Sequence, residues 1–558
     1  MQVSRRDMLK LAGLGAVGAA GLTVPFGHEA SGSTISLLPT SKMPKPYARK
    51  FAHQQVLKPY NRVQDSDGTW CHYYSVTAKK GTANLVDGLG TPVLGYTGNP
   101  SGSGLVPTDQ YGQVPGPLIK VDQGTKIVMT MHNQLPGVHP TFGTPLKIST
   151  HLHGSASLPQ YDGYANDVTP SGMKKFYHYP NFQGARTLWY HDHGVHFTAQ
   201  NAYSGLAAQY HLHDPIERQL LPQGEYDVPI TLSDIAFQAN GSQLYDDRSQ
   251  SGLWGDVILV NGVPWPVMQV KPAIYRFRFL NASISRSYRP TTSPAVPTYM
   301  VATDGGLAPK SQEITSWRHG NAERYEILMD FRKMAGKSVY LNNLSNPNNR
   351  DFDNTGKIMR FDVVADPTML PATNDRAFTA IPTTLVSSEA MSLQQTSSMK
   401  VRNIRVERSN GLWALNAQTW DDVMASGYKT VLANPQLGDT EVWNIQNTSG
   451  GWFHPLHIHL VDFKILSRNG KSAFAYEQGP KDVVYIGENE TVKLIMRFGD
   501  PKAPVKNVGK YMVHCHNLVH EDHDMMHQFS VGLAAGATDV NDPIKSDPCV
   551  DESSTRVE

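Results

Sequence analysis

The chain has 558 residues, with 22 histidines, 3 cysteines and a formal net charge of +1. At roughly 150 residues per domain that length allows three or four domains with large cores, and the ordinary hydrophobic content (40%) excludes wholesale disorder. Near-neutral charge gives no basis for a nucleic-acid partner, and three cysteines are too few for a disulfide scaffold.

The first segment, residues 1–44, reads as an address and an N-terminal extension. Ser4-Arg5-Arg6-Asp7-Met8-Leu9-Lys10 places twin arginines before a mild apolar run, Leu11 to Val24. Paired arginines and a weakly hydrophobic stretch fit a bacterial twin-arginine export signal. The run is shorter than the roughly 20 residues a spanning helix needs. The expectation is export by the twin-arginine machinery, to the periplasm or outside the cell, without stable membrane insertion. Cys71 and Cys549 are two non-ligand cysteines in such a protein, and a bond between them would tie the chain's ends together.

Many Gly and Pro residues and scarce helix-period runs make the chain mostly β. Residues 81–117, rich in Gly, Pro, Thr and Ser, read as a long surface loop. Beyond it, three segments resemble one another. Val121-Asp122-Gln123-Gly124-Thr125 leads through Ile127, Met129 and Met131 to Asn133. Val270-Lys271-Pro272-Ala273 leads through Tyr275, Phe277 and Phe279 to Asn281. Leu437-Gly438-Asp439-Thr440 leads through Val442, Trp443 and Ile445 to Asn447. Each is a turn followed by an alternating strand with one buried face, so the repeat predicts three β-sandwiches of one type.

The histidines cluster as His151-Leu152-His153, His191-Asp192-His193, His454-Pro455-Leu456-His457-Ile458-His459, and His514-Cys515-His516 followed by His520. On a strand, residues i and i+2 share a face, so each His-x-His offers two imidazoles to one side. Imidazole suits copper, zinc, iron and nickel alike. The last group narrows the choice: Cys515 faces away from its two neighbours, and His454, His520 and Met525 complete a His₂Cys set with a thioether. That is the ligand set of a blue-copper electron-transfer site. The pair His211-Leu212-His213 reads as structural, His523 and His527 as surface or outer-shell residues, and His196 as an outer-shell partner of the second motif.

These motifs resemble the three-domain multicopper oxidases, and within them the bilirubin oxidases and bacterial spore-coat-type laccases. The resemblance covers about residues 45 to 535, the stretches 450–463 and 517–526 carrying it most specifically. It implies an all-β fold of three consecutive cupredoxin-like Greek-key β-sandwich domains: 45–215, 216–385 as a spacer without copper ligands, and 386–540, with 541–558 a C-terminal tail. It implies four copper ions. His454, Cys515, His520 and Met525 would hold the type 1 ion and His151 and His457 the type 2 ion. His153, His191, His193, His459, His514 and His516 would hold the type 3 pair.

The implied reaction couples four one-electron oxidations of phenolic, aromatic amine or tetrapyrrole substrates to reduction of O₂ to water. Asp162 and Glu521 match positions where these families place acids serving oxygen reduction. Trp452, two residues before His454, could stack a donor where electrons enter or simply pack under the site. The expected partners are a small aromatic reductant and O₂, acting on a monomer. Two alternatives are a cuprous oxidase for copper tolerance, which would carry a Met-rich insertion, and a copper-free scaffold, which would have lost ligands.

Overall fold

The computed structural model describes residues 36–98, 114–365, 380–533 and 539–545. The three strands picked out by the repeat, Lys126–Asn133, Ile274–Asn281 and Thr440–Asn447, occupy equivalent places in three sandwiches. Each runs parallel to one neighbour (Trp70–Val86, Asp227–Ile235, Lys400–Ser409) and antiparallel to another (Lys174–Tyr179, Arg324–Asp330, Thr491–Arg497). Each stops at its asparagine for the same reason. The side-chain carbonyl accepts the N–H two residues on, from Leu135, Ser283 or Ser449 at 3.0–3.1 Å. The side-chain amide donates to two carbonyls: Leu146 and Thr169, Arg286 and His319, or Trp452 and Gly487. An asparagine that satisfies three backbone groups in this way turns the chain out of the sheet.

Six sheets form three consecutive pairs, each enclosing an apolar core to which both sheets contribute. The molecule is mostly β, as expected. The reading of residues 81–117 as a loop is corrected. Strand Trp70–Val86 continues through residue 81 and pairs antiparallel with Leu89–Thr97. The turn is Asp87-Gly88, with Gly88 at φ 74°. Thr, Val and Tyr are good strand formers and Asp-Gly is a strong hairpin signal, which outweighs the Gly and Pro content. Residues 99–113 lie outside the described residues. So do the twin-arginine segment and Cys549; Cys71 is buried and unpaired among the described residues. No helix among the described residues is long and apolar enough to cross a membrane.

In the third sandwich, strand His454–Ile458 pairs antiparallel with Gly509–Cys515, setting Leu456 opposite Cys515 and His457 opposite His514. Alternation then sorts the ligands by face. Leu456, Ile458, Val513 and Cys515 enter the sandwich core, and His457 and His514 point out of it. In the first sandwich His151 lies opposite His191 across the pair Thr150–His153 and Arg186–Asp192. The outward face of one domain meets that of the other.

The middle domain fastens both neighbours through buried charge. Arg276 and Arg278 share the carboxylates of Glu217, Asp227 and Glu326, and Glu326 also accepts from Thr187 of the first domain at 2.7 Å. Lys481 of the third domain lies 2.9 Å from Asp304 and 3.0 Å from Glu323. Such groups are tolerated in the interior only because each charge is paired and hydrogen-bonded.

Candidate metal centre

At the core face, His454 Nδ1, Cys515 Sγ and His520 Nδ1 lie 3.2–3.7 Å from one another, all three residues fully buried. His520 Nε2 is 3.0 Å from the carbonyl of Ser251 and 3.1 Å from the Asn517 amide; since a carbonyl only accepts, the ring's proton sits on Nε2 and Nδ1 is a bare lone pair. Burial, with the Arg408 charge, lowers His454 to about 3, so it too is neutral. Two lone pairs and a sulfur aimed at one point repel unless a cation lies between them. The centre of this triangle lies about 2 Å from each corner, close to the length of first-row metal bonds to imidazole and thiolate. Burial also pushes the Cys515 thiol up, so a cation is needed to make it a thiolate.

Met525 completes this side. Its N–H donates to the His520 carbonyl at 2.9 Å, and its own carbonyl accepts from the Cys515 N–H at 3.0 Å, which ties it to both ligands. Met525 is in the same core cluster as Cys515; Met526 faces the other way, among Tyr164, Met512 and Trp420.

On the opposite face the other eight histidines divide into three groups by which rings approach one another. His151 Nδ1 bonds the Asp162 carbonyl and His457 Nδ1 the Asp482 carbonyl at 2.9 Å, which leaves their bare Nε2 atoms 3.4 Å apart. His459 Nδ1 is 2.6 Å from Asp162 Oδ2, and His514 Nδ1 is 2.8 Å from Glu521 Oε2. His193 Nδ1 faces Glu521 Oε1 at 3.6 Å. The Nε2 atoms of His193 and His459 lie 3.1 and 3.3 Å from that of His514. The third group is His153, His191 and His516, with ring centroids 5.2–5.8 Å apart; His153 Nδ1, His191 Nε2 and His516 Nε2 are buried with no hydrogen-bond partner. Among the described residues nothing satisfies these atoms, and metal ions would. Burial holds the rings neutral: His191 falls to about 3, His193 to about 4, and His151, His153, His457, His459 and His516 also fall far below the usual histidine range.

The two acids expected from the sequence both touch ligand rings. Asp162 serves two of them, His151 by its carbonyl and His459 by its carboxylate, and burial pushes its carboxyl well above the usual range. Burial acts upward on Glu521 as well, but the His514 and His193 rings outweigh it and hold the group at about 2. The five-residue helix Leu518–Asp522 serves three places: His520 points to the sulfur site, Glu521 to the histidine cluster, and Asp522 accepts from the N–H groups of Thr198 and Ala199 at 3.0 and 2.8 Å.

Trp452 stands edge-on to His520, centroids 5.9 Å apart, and edge-on to Trp413. Trp413, which sequence reasoning missed, lies closer: 4.0 Å from the His520 ring and tilted by 33°, its Nε1–H donating to the Gln250 carbonyl at 2.6 Å, with the Arg408 guanidinium 4.2 Å from its ring. The distal nitrogen of His454 meets Ser449 Oγ at 2.8 Å, so neither histidine edge reaches solvent.

Asp482 was also missed. Besides bonding His457 it accepts from His153 Nε2 at 3.1 Å and is held by Arg324 of the middle domain. Its only sequence signal is an acid at the start of a strand. The middle domain is therefore more than a spacer: it supplies no ligand ring, yet Ser251 and Arg324 orient the groups around the centre. His211 bonds Gln209 and His213 meets Glu217, as structural residues do. His527 is buried against Gln418 and so is not a surface residue, while His523 is part-exposed beside Asp247. His196 is corrected: its exposed ring meets the Asp522 carbonyl at 3.2 Å and lies 3.8 Å from Asp421, and neither of these partners is a ligand.

Two family profiles described as multicopper oxidase match residues 109–216 and 394–534. The chain is 39% identical over 477 residues to a bilirubin oxidase of Albifimbria verrucaria, covering 82% of this chain and 76% of that one. It is 30% identical over 535 residues to a laccase of Bacillus subtilis, covering 85% and 96%. Among solved structures, the McoA multicopper oxidase of Aquifex aeolicus superposes with a TM-score of 0.72 at 26% identity, over 86% of this chain and all of that one. With the donor geometry and these relatives together, the chain belongs to the multicopper oxidase family.

Proposed function

We propose that the protein oxidises small aromatic donors, namely phenols, aromatic amines or a tetrapyrrole such as bilirubin, and passes the electrons to O₂, using four copper ions. The observation that carries this reading is the sorting of bare ring nitrogens into three groups beside a separate His₂Cys triangle. His454, Cys515, His520 and Met525 would hold a type 1 ion, His151 and His457 a type 2 ion, and two triads, His193/His459/His514 and His153/His191/His516, a type 3 pair. Bound copper supplies one-electron oxidation at the thiolate site and four-electron reduction of O₂ to two waters at the three-metal site.

The chain's own residues do the rest. Cys515 stands between His514 and His516 in the sequence, so its sulfur is joined by a short covalent path to a ligand of each triad. Asp162 Oδ2 holds the proton of His459 at Nδ1, and Glu521 Oε2 faces His514 Nδ1, which favours bare Nε2 atoms on both rings. The same carboxyls are the protein's proton carriers to the oxygen side. Trp452 lies on the donor side, edge-on to His520. The burial of both type 1 rings supports electron transfer from a donor resting on the surrounding side chains rather than on a bare imidazole. In the cell, the same reading includes export of a monomer by the twin-arginine route to the periplasm or beyond.

The test is metal analysis of the copper-supplemented protein, followed by a steady-state screen against bilirubin, phenols and Cu(I). Four coppers per chain, an intense blue colour and turnover of an organic donor are expected. A folded but colourless, copper-free protein would overturn the proposal.

A further inference from the structure

A second cavity, of about 390 Å³, shares no residue with the metal centre. It opens where the two sheets of the first domain meet the segment leading into the second. Lys58, Arg62, His72, Lys120, His213 and Arg218 line it, together with Asp122 and Asp227. The carboxylates are already engaged: Asp227 grips Arg278 at 2.7 and 3.0 Å, and Asp122 contacts Arg218. Among the described residues, Lys58, Arg62 and Lys120 have no carboxylate within ion-pair distance.

Lys120 is the informative one. It lies on the middle strand of three, with Val56–Leu57 and Ala207–His213 paired in parallel on either side, and its backbone register is with His211. Burial pushes its ammonium down, Asp227 opposes that, and the charges of Arg278, Arg276 and Arg218 push it further down. Lys120 is a part-buried ammonium with no ion-pair partner of its own among the described residues, beside guanidiniums whose carboxylates are already shared among them. Three separate elements bring the cations together: the connection after strand Val56–Leu57 (Lys58), the exposed strand Asn61–Gln64 (Arg62) and the strand Leu118–Asp122 (Lys120). The volume lies within the range of small-molecule sites, about 300–1,000 Å³.

We propose that this cavity binds a compact oxyanion carrying two or more negative charges, with Lys58, Arg62 and Lys120 as its cationic partners. Phosphate and dicarboxylate share that chemistry. The site does not depend on the copper reading, since none of its groups touches a ligand ring.

The experiment is isothermal titration of the copper-loaded full chain with inorganic phosphate and, separately, with succinate, at an ionic strength fixed by NaCl. One equivalent of phosphate or succinate should bind, and whichever does so identifies the oxyanion type. Lys120→Met and Arg62→Met should each weaken that binding by about tenfold or more, the worth of a hydrogen bond to a charged group. Arg405→Gln, on a surface strand of the third domain, should leave it unchanged. Arg62 lies on an exposed strand, so its variant decides the matter even if Lys120→Met does not fold. The proposal is overturned if neither anion binds beyond the effect of equal ionic strength, or if the Arg62 variant binds with wild-type affinity.

Discussion

Replacing Glu521 by Gln removes the negative charge that faces two ligand rings. Oε2 lies 2.8 Å from His514 Nδ1 and Oε1 3.6 Å from His193 Nδ1. A carboxylate accepts at both oxygens, whereas an amide accepts at one end and donates at the other. One of the two rings then faces a donor, and the charge that holds both is gone. Loss of a group that orients a metal-ligating imidazole costs about 10–100-fold in metal affinity or activity. Because Gln keeps the size and one acceptor, we expect the low end, about tenfold or roughly 1.4 kcal/mol; Glu521→Ala, which removes both oxygens, should fall near the high end. Asp162→Asn is the companion. The Asp162 backbone carbonyl still serves His151, so only the bond to His459 is disturbed, again at about tenfold. The assay is anaerobic reduction by a phenol followed by mixing with O₂ in a stopped-flow instrument, on protein of verified copper content. Neither carboxyl bonds His454 or His520, so bleaching of the blue colour by donor should keep its wild-type rate and only reoxidation should slow, more so as rising pH makes protons scarcer. Wild-type reoxidation in both Glu521→Gln and Asp162→Asn at full copper loading would refute the reasoning.

Cys515→Ser should abolish the blue absorption and nearly all turnover, because the thiolate is both ligand and covalent link; visible spectroscopy and steady-state kinetics check this. Trp452→Ala should change kcat/KM for organic donors by about three- to tenfold and perturb the blue band while four-copper binding survives; if spectrum and donor kinetics stay fixed, the residue only packs. Removing copper with a chelator should lower Tm by several degrees, since ions bound only by the native state stabilise it by about 4 kcal/mol at a thousandfold excess over Kd; equal Tm values with and without copper would contradict the metal assignment. Glu326 tests pH dependence. Burial raises its pKa, but Arg276 and Arg278 win and hold it at about 2, below the ordinary 4.5, while burial beside Arg278 lowers Arg276 to about 9. A depressed carboxylate contributes fully above pH 4.5 and loses that contribution as pH falls toward 2. Glu326→Gln should therefore cost about 3–5 kcal/mol at pH 7 and flatten the acid limb of the Tm–pH profile; an unchanged acid limb would disprove it.

Much of the metal chemistry was legible in the sequence because strand alternation is a local rule. His-x-His puts two rings on one face, and the cysteine between His514 and His516 must lie on the other. The same locality made the three strands ending at Asn133, Asn281 and Asn447 readable, since each asparagine bonds the backbone two residues on. Composition misled where pairing decided: residues 81–97 look loop-like one by one but complete a hairpin with the strand before them. What only the tertiary structure decided depends on contacts between distant segments. Asp482 reaches His153 across 329 positions, Ser251 reaches His520 across 269, and Trp413 lies against His520 from the strand Leu412–Leu415. No spacing rule connects such residues, because it is the docking of three sandwiches, fastened through buried arginines and a buried lysine, that brings them together. That docking also sorts the eight outward rings into three groups, giving His151, His153, His191, His457 and His459 an acceptor each and leaving their other nitrogens bare.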